Sequence, residues 1–248
     1  MRAAICVPTI KGPYPQFIEA MEAEVPILEA AGIEHAINFE VGSAYISWAR
    51  ANCMWDALAI MPDCIVFIDH DMGWKPGDLT RLIQTEGPVI SGAYRFKLPP
   101  DKETGELPEE YMGHWFVDAD GRPIVREDGC VRWDWVPAGF LKITTEALHV
   151  YAGAYPELLF GVRWRPHIDL FNHGAHDGLW YGEDYAFSRR WNEKCGEIWV
   201  RPDLDIVHYA ENGTAYPGNF FDYLARQPGG AREGLPPVWM PQPTKSAA

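Results

Sequence analysis

Apolar runs alternate with amphipathic segments over the first hundred residues of the chain. Strand-like runs occur at residues 3–7, 34–39, 64–68 and 89–94, and segments with helical spacing lie at residues 15–31, 47–60 and 78–85. Pro8 is expected to end the first strand, Pro26 to kink or split the first helix, and Gly32 to terminate that helix. Because strands that alternate with helices form parallel sheets, the pattern predicts an α/β fold class with a mostly parallel central sheet.

The second half has shorter apolar runs and more loop-forming residues. An Asp-Gly pair within residues 118–121 predicts a hairpin turn, and Thr144 is suited to cap a helix that begins near Glu146. We also expect a polar loop at residues 97–108, strands at 136–143, 197–200 and 205–208, a helix at 185–194 and an irregular tail at 227–248. This half therefore predicts a smaller β and loop region beside the main sheet.

Two acidic residues follow the most apolar run, in Cys64-Ile65-Val66-Phe67-Ile68-Asp69-His70-Asp71. Asp69 and Asp71 are one residue apart, so in an extended chain both side chains face the same side, at the sheet edge where α/β proteins bind ligands. Two carboxylates held this close repel each other unless a cation lies between them. A divalent metal is the simplest such cation, and it would in turn attract phosphate.

Asp69 and Asp71 are compatible with two other roles. They are also explained as loop acids that cap the following helix. In a phosphatase of the haloacid dehalogenase type, Asp69 would attack phosphorus and Asp71 would act as the acid/base. That motif usually opens a chain and is followed by threonine, whereas here two strand–helix units precede it and Met72-Gly73 follow it.

A second acidic pair and a late histidine are further candidates for chemistry. Glu183 and Asp184 begin a predicted helix, where they are either simple capping acids or a general base with a carboxylate that orients the acceptor. The preceding Leu179-Trp180-Tyr181 offers an aromatic platform on which a sugar ring can stack. His208 ends an apolar run and is either structural or a ligand that completes a metal site begun by carboxylates.

The stretch of residues 164–177 is rich in polar and metal-binding side chains. It contains His167, Asp169, His173, His176 and Asp177. These residues are explained either as a second metal site or as a mobile polar loop that closes over a bound substrate, and we favour the loop. Closure of such a loop would exclude water that otherwise hydrolyses the substrate.

Composition and charge narrow the classes of partner. The chain has 248 residues, an apolar fraction of 47% that supports a sizeable core, and a net charge of −14 that disfavours tight binding to duplex DNA. The five cysteines form no Cys-x-x-Cys pair, so we expect a reduced, cytoplasmic protein without a zinc ribbon or disulfide framework. The N-terminal sequence predicts no secretory signal, and no apolar run reaches the about 18 residues of a membrane span.

Three groups of motifs occur in the order found in one enzyme family. They are Arg50-Ala51-Asn52, then CIVFIDHDMGWKPGDLTRLI with VISGAYRFK, and then WVPAGFLKITTEAL, GLWYGEDYAFSRRW and IWVRPDLDIVHYAENG. In these motifs the chain resembles GT-A-fold glycosyltransferases of the family 2 type, particularly small phage- and bacteria-encoded members, over roughly residues 3–213. The resemblance implies a Rossmann-like GT-A fold in one domain at residues 1–226, with residues 1–95 binding a nucleotide sugar and residues 96–226 binding the acceptor.

The resemblance also implies roles for the acidic residues and the late histidine. In the family, an Asp-x-Asp pair binds Mn²⁺ or Mg²⁺, which holds the diphosphate of a nucleoside-diphosphate sugar. This implies that Asp69 and Asp71 bind the metal, with His208 as a further ligand. The acids that open the late helix imply Asp184 as the catalytic base and Glu183 as a contact of the acceptor.

Contacts to the donor are implied for four other residues, with Asp69 reaching the donor through the metal. Thr9 lines the nucleotide pocket, Arg50 and Asn52 face the diphosphate, and Gly139 packs near the donor sugar. The chain departs from the family in its first loop, which lacks a Tyr-Asn pair, and in the acid on the second strand, for which Glu40 is the candidate. Both departures leave the identity of the nucleotide open.

The implied activity is metal-dependent, inverting transfer of a sugar to an acceptor hydroxyl. The acceptor is a saccharide, a protein or a hydroxymethylated DNA base, and the net charge of −14 does not favour DNA. A metal-dependent phosphatase or nucleotide-sugar hydrolase is one alternative, and a non-catalytic sugar-binding module is another. The expected location is the cytoplasm, which would be that of the host cell for a virus-encoded protein.

Overall fold

The computed structural model describes residues 1–176 and 178–226, so Asp177 and the predicted tail at 227–248 lie outside the described residues. The first half contains β1 Arg2–Thr9, α1 Pro15–Ala30, β2 Glu34–Val41, α2 Ile46–Leu58, β3 Cys64–Ile68, β4 Met72–Trp74, α3 Asp78–Gln84 and β5 Val89–Gly92. The second half contains β6 His114–Trp115, β7 Val131–Trp135, β8 Phe140–Thr144, α4 Thr145–Ala154, β9 Leu159–Val162, β10 Arg165–Ile168, β11 Gly174–His176, β12 Leu179–Tyr181, α5 Glu183–Lys194, β13 Ile198–Arg201, β14 Ile206–Tyr209, β15 Ala215–Gly218 and α6 Phe220–Arg226. Among the helices of the described residues, none is both long and apolar enough to cross a membrane.

One eight-stranded sheet forms the centre of the molecule, in the order β2-β1-β3-β8-β5-β13-β7-β6. β1 pairs in parallel with β2 and β3, and β5 pairs in parallel with β13. β8 runs antiparallel to β3 and β5, and β7 runs antiparallel to β13 and β6, so six of the eight strands point the same way. The predicted α/β fold with a mostly parallel central sheet is confirmed, and a three-stranded sheet and two hairpins form the smaller β region.

Side chains of β1 and β3 alternate between two covered faces of this sheet. Ala4, Cys6, Ile65 and Phe67 share one apolar cluster with side chains of α2, α4 and α5. The alternate residues of both strands pack on the other face against α1 and α3. All five residues of β3 are buried, which explains its uninterrupted apolar sequence. Since both faces are covered by helices, polar side chains gather at the ends of the strands.

Several boundaries differ from the predicted ones. β1 continues through Pro8, because its parallel register with β2 extends to Thr9, and α1 continues through Pro26. The strand predicted at residues 136–143 begins only at Phe140, where pairing with β3 starts. β7 was missed because Arg132 and Asp134 interrupt its apolar sequence, although its buried residues are spaced as in a strand.

The predicted helix cap and hairpin turn are both present. Thr144 Oγ1 accepts a hydrogen bond of 3.1 Å from the N–H of Ala147 at the start of α4. In the turn at residues 118–121, the N–H of Gly121 donates to the carbonyl of Asp118 (3.1 Å), and Gly121 has φ +78°. That backbone angle favours glycine, which explains why the Asp-Gly signal located the turn correctly.

A buried carboxylate from α1 fixes the segment that follows β3. Glu24 is fully buried. Its Oε1 accepts hydrogen bonds from the N–H (2.9 Å) and Oγ1 (2.6 Å) of Thr80, and its Oε2 accepts from Gly77 N–H (2.7 Å) and Trp74 Nε1 (3.2 Å). These bonds tie α1 to β4 and to the start of α3. Because β4 pairs with β14, the anchor also supports the strand that carries His208.

We expect Glu24→Gln to lower the free energy of unfolding by about 2–4 kcal/mol, because the amide NH₂ would face buried donors and leave at least one unsatisfied. Denaturant unfolding at neutral pH measures this loss. Glu22→Gln, at an exposed position of the same helix, is the matched control and should change stability by less than about 0.5 kcal/mol. Equal stability of the two variants would contradict the anchoring role.

Candidate active site

A cleft of about 310 Å³ opens where β1 and β3 end. Because these strands are parallel neighbours, their carboxyl ends meet at one edge of the sheet. The cleft is lined by Pro8, Thr9, Ile10, Ser43, Ala44, Ile46, Ala49, Arg50, Asp69, His70, Asp71, Lys97, Glu183 and His208. It therefore brings together six residues singled out from the sequence, namely Thr9, Arg50, Asp69, Asp71, Glu183 and His208.

The chain turns directly after β3 and separates the two strand-end carboxylates. The N–H of Met72 donates to the carbonyl of Asp69 (3.2 Å), and the N–H of Asp69 donates to the carbonyl of Gly139 (3.0 Å). The extended conformation expected from the sequence is therefore not found here. Both carboxylates still line the cleft, but each lies beside a different cationic side chain.

Asp69 is held by the buried guanidinium of Arg50. Arg50 Nη2 donates to Asp69 Oδ1 (3.0 Å) and lies 3.9 Å from Glu183 Oε1. The side chain of Arg50 is 2% exposed, and its guanidinium lies 5.7 Å from the ring centre of Phe67 and 5.1 Å from that of Phe171. Burial works against the charge of Arg50, but Asp69 and Glu183 raise its pKa, so it remains a cation. Arg50 is thus a buried cation that helps to position Asp69 and Glu183.

Asp71 is paired with Lys97 and His208. Lys97 Nζ donates to Asp71 Oδ2 (2.5 Å), and His208 Nε2 lies 3.7 Å from Asp71 Oδ1. Burial works against ionisation of Asp71, but the nearby His208 and the hydrogen bond from Lys97 hold its pKa well below the usual value. Asp71 therefore stays an anion over the whole physiological pH range.

Strand pairing brings His208 to Asp71 and fixes its orientation. His208 in β14 pairs with Met72 in β4, and the N–H of Tyr209 donates to the carbonyl of Asp71 (2.9 Å). His208 Nδ1 lies 2.9 Å from the carbonyl oxygen of Arg95, which only accepts, so Nδ1 carries a hydrogen. Nε2 is then the nitrogen that faces Asp71 and the cleft. Metal-binding histidines commonly show this arrangement, with one nitrogen on a carbonyl and the other toward the ion.

The residues of the cleft fit a divalent cation in their chemistry. Two carboxylates and an imidazole are ligands that Mn²⁺ accepts, and Mg²⁺ accepts the carboxylates. Asp69 and Asp71 already attract cationic side chains, which shows that this part of the cleft favours positive charge. Within residues 1–176 and 178–226, no three His, Cys, Asp or Glu side chains already lie close enough together to hold a metal ion. Binding would therefore require Asp69, Asp71 and His208 to turn toward a common centre.

Glu183 and Asp184 begin α5, where Glu183 lines the cleft near Arg50 and Asp184 follows it without being among the lining residues. The N–H of Tyr185 donates to Asp184 Oδ1 (2.7 Å), which leaves Oδ2 without a hydrogen bond to its own helix start. Burial and the charge of Glu183 raise the pKa of Asp184 to about 6, while Tyr185 N–H and Arg50 act in the opposite direction. A carboxyl with a pKa near neutrality is suited to take up a proton during a reaction at physiological pH.

Thr9 and Asn52 differ in how they relate to the cleft. Thr9 lines it, and its Oγ1 donates to the carbonyl of Gly12 (2.9 Å) and accepts from the N–H of Gly12 (3.0 Å), so it shapes the first loop. Asn52 is not among the lining residues. Its Nδ2 donates to Glu40 Oε1 (3.3 Å), and its Oδ1 is buried without a hydrogen-bond partner. Asn52, implied to face the diphosphate, is thus hydrogen-bonded to Glu40, the candidate for the acid on the second strand.

Gly139 lies in close contact with the side chain of Asp69. Its N–H donates to the hydroxyl of Tyr94 (2.9 Å), and a Cβ at this position would lie 2.6 Å from Asp69 Oδ2 and in collision with the same hydroxyl. The ring of Tyr94 also contacts His208, with ring centres 5.1 Å apart. The absence of a side chain at Gly139 therefore allows Asp69 and Tyr94 to occupy their places.

We expect Gly139→Ala to reduce kcat/KM by about 10–100-fold, because a displacement of Asp69 by even about 1 Å disturbs the cleft. It should also cost about 1–3 kcal/mol of stability through overpacking. Gly153→Ala is the matched control, since Gly153 lies in α4 and an added Cβ there meets nothing within 4 Å. That variant should keep its activity and gain about 0.5–1 kcal/mol. Equal activity of the two variants would argue against a role for this close contact.

The histidines of residues 164–177 make separate contacts. His167 is buried and stacks on Phe160 with ring centres 5.1 Å apart, while His176 Nε2 lies 3.0 Å from Arg190 Nη2. They belong to two different hairpins, β9–β10 and β11–β12, and Asp177 lies outside the described residues. These contacts do not gather the histidines into a second metal site among the described residues.

Lys97 and Tyr94 are residues of this region that were not identified from the sequence. Both follow β5, which points in the same direction as β1 and β3, so its carboxyl end lies at the same edge of the sheet. The rule that located Asp69 and Asp71 applies equally to this strand end. Arg95 and Lys97, two basic residues that closely follow the end of β5, were the sequence signal that could have identified this part of the cleft.

The solved structures that resemble this chain include two glycosyltransferases, both of low similarity. The catalytic domain of Drosophila β1,4-galactosyltransferase 7 in complex with xylobiose has a TM-score of 0.42 and 12% sequence identity, over 80% of this chain and 64% of that chain. GalNAc-T7 with UDP, GalNAc and Mn²⁺ has a TM-score of 0.41 and 12% identity, over 84% of this chain and 44% of that chain. The chain thus spans less than two thirds of the length of either neighbour. No protein-family model matches it, and no curated protein matches its sequence.

Proposed function

We propose that the chain is a metal-dependent, inverting glycosyltransferase of the GT-A family 2 type that moves a sugar from a nucleoside-diphosphate sugar to an acceptor hydroxyl. The observation that carries this proposal is that two groups of acidic residues lie close together at one cleft. Asp69, Asp71 and His208 line its cation-attracting part, and Glu183 lines it next to Asp184, whose pKa burial and the charge of Glu183 raise to about 6. The diphosphate of a donor needs the bound cation, and the hydroxyl group of an acceptor needs the base.

The donor side of the cleft has to stabilise negative charge on the leaving diphosphate. A divalent cation held by Asp69, Asp71 and His208 would supply positive charge to that diphosphate. Arg50 is a positioning residue, because it contacts Asp69 and lies near Glu183 while being almost fully buried. It keeps the two acids at a fixed separation in a region of low dielectric, where such orientation is most effective.

The acceptor side has to remove a proton as the new bond forms. The acceptor oxygen attacks the anomeric carbon from the face opposite the diphosphate, the carbon–oxygen bond to the diphosphate breaks, and its electron pair leaves on the diphosphate oxygen. Asp184 takes the hydroxyl proton on Oδ2, since Oδ1 accepts from Tyr185 N–H. Attack from the opposite face inverts the configuration of the anomeric carbon.

The acceptor binds, in this proposal, beside the aromatic strand that leads into α5. Trp180 in β12 is 74% exposed and lies three residues before Glu183, whereas the neighbouring Tyr181 is buried. An exposed indole offers a stacking face for a sugar ring. Together with the net charge of −14, this favours a saccharide over a hydroxymethylated DNA base as the acceptor.

The proposal includes a reducing, cytoplasmic setting. All five cysteines are free thiols, and four of them are buried. Burial raises the pKa of the thiols of Cys6, Cys64 and Cys130, so these side chains are unreactive packing residues.

A thermal-shift screen of nucleotide sugars with and without Mn²⁺ tests the proposal. We expect one UDP- or GDP-sugar to raise Tm when Mn²⁺ is present, because a ligand at 100 times its Kd stabilises by about 2.7 kcal/mol, and EDTA should abolish the shift. Mass spectrometry with a panel of saccharide acceptors then detects transfer. The absence of any metal-dependent shift would contradict the proposal. Release of free sugar or phosphate without an acceptor would identify a hydrolase, and binding without turnover would identify a sugar-binding module.

A further inference from the structure

Lys97 forms a hydrogen bond with Asp71, a carboxylate that is proposed to bind the metal. Its Nζ donates to Asp71 Oδ2 at 2.5 Å and to the carbonyl of Tyr209 at 3.4 Å. Asp71 is nearly buried, with a side chain 12% exposed, and lies at the wall of the cleft. The ammonium therefore occupies one of the positions from which a cation would approach Asp71.

The charges that line the cleft are almost balanced without a metal. Its carboxylates are Asp69, Asp71 and Glu183, and its side-chain cations are Arg50 and Lys97. Each strand-end carboxylate has its own cation, Arg50 for Asp69 and Lys97 for Asp71. A divalent ion that arrives alone meets neutralised carboxylates, whereas one that arrives with a diphosphate brings an anion that can accept the displaced ammonium.

Only one of the two cations is free to move. The side chain of Arg50 is 2% exposed and enclosed by Phe67 and Phe171. The side chain of Lys97 is 33% exposed and projects from a segment without regular secondary structure, on a flexible four-carbon stem. A metal can therefore displace Lys97 from its carboxylate, but not Arg50.

We infer that Lys97 competes with the divalent cation for Asp71, so that metal and nucleoside diphosphate bind cooperatively and the metal alone binds weakly. This inference rests on the proposed function, because it assumes that Asp71 binds the metal. When metal and diphosphate enter together, Lys97 leaves Asp71 and its ammonium pairs with a phosphate oxygen. Competition between Lys97 and the metal for Asp71 thus makes metal binding depend on the presence of the donor.

Mn²⁺ binding measured by electron paramagnetic resonance of the free ion tests the inference without any turnover. We expect Lys97→Met to bind Mn²⁺ alone about tenfold more tightly than the wild type, and UDP or GDP to tighten Mn²⁺ binding more in the wild type than in this variant. Lys102→Met is the matched control, because Lys102 is an exposed lysine of the same loop and its removal changes the net charge equally. It should bind Mn²⁺ like the wild type.

Asp71→Asn in both backgrounds distinguishes failure of the inference from failure of the proposed site. If Lys97→Met binds Mn²⁺ no more tightly than the wild type, while Asp71→Asn abolishes binding in both, the inference is wrong and the metal site stands. If Asp71→Asn changes Mn²⁺ binding in neither background, both are wrong. Lys97→Gln serves as a second variant, and far-UV circular dichroism verifies that each protein is folded before the titration.

Discussion

Asp184→Asn is expected to lower the rate of sugar transfer by about 10²–10⁴-fold, the usual contribution of a general base. Asparagine keeps an oxygen at the position where Asp184 Oδ1 accepts from Tyr185 N–H at 2.7 Å, so the start of α5 is preserved, but it cannot take up a proton. The affinity for the nucleotide sugar should be retained, because the donor side of the cleft is unchanged. Initial rates at saturating acceptor and calorimetric titration of the donor measure the two effects separately.

The same substitution is expected to stabilise the protein at neutral pH. Burial and the charge of Glu183 raise the pKa of Asp184 from 3.8 to about 6 in the folded state. Between these values the folded chain binds more protons than the unfolded chain, so stability falls as pH rises through this window. Removing the charge should recover about 1–3 kcal/mol at pH 7.5 and little at pH 4, which denaturant unfolding at the two pH values measures.

The pH dependence of sugar transfer provides a second test of Asp184 as the catalytic base. The wild-type rate should fall as pH drops below about 6, because the base becomes protonated, and the residual rate of the Asn variant should lack this limb. Asp120→Asn, at an exposed turn position whose side chain is 68% exposed, is the control for loss of one acid. Near-wild-type transfer by Asp184→Asn would show that the base is another residue.

The sequence was sufficient to predict which residues line the cleft wherever the signal is local. An apolar run followed directly by acids identified Asp69 and Asp71, and acids at a helix start identified Glu183, whose neighbour Asp184 is not among the lining residues. The central sheet was predicted for the same reason, since the periodicity of the first hundred residues is a local property.

Contacts between distant segments have no local signature in the sequence. The meeting of His208 with Asp71, which the pairing of β14 with β4 brings about, was implied only by the family resemblance. The contact of Lys97 with the same carboxylate, from the loop after β5, was not predicted. The burial of Arg50 between two phenylalanines likewise follows from packing, so its role as a buried anchor for Asp69 became apparent only in the structure.

Two carboxyls of the site have opposite requirements. The pKa of Asp184 is raised by burial and by Glu183, whereas the pKa of Asp71 is lowered, against the effect of burial, by His208 and Lys97. Such a difference separates a group that must exchange a proton from one that must stay charged. It also gives the two aspartates opposite effects on stability, which makes their roles distinguishable in one kind of measurement.

Asp71→Asn is expected to abolish metal-dependent binding of the nucleotide sugar and to destabilise the fold. Asparagine is a poorer metal ligand than a carboxylate, and it leaves Lys97 and His208 without the anion that they contact. Because breaking such a partly buried pair leaves an uncompensated charge, we expect a loss of about 2–4 kcal/mol near pH 7, in contrast to the gain for Asp184→Asn. Thermal shifts with Mn²⁺ and a nucleotide sugar measure binding, and denaturant unfolding measures stability.

The sign of the pH dependence distinguishes this effect from a general loss of packing. The pKa of Asp71 is lower in the folded than in the unfolded chain, so its stabilisation is present above the unfolded value of 3.8 and is lost as pH falls through the lowered value. The stability of the wild type and of Asp71→Asn should therefore converge as the solution is acidified below pH 3.8. A difference that persists unchanged in acid would indicate lost packing. An undiminished Mn²⁺-dependent shift with the nucleotide sugar would show that Asp71 is not a metal ligand.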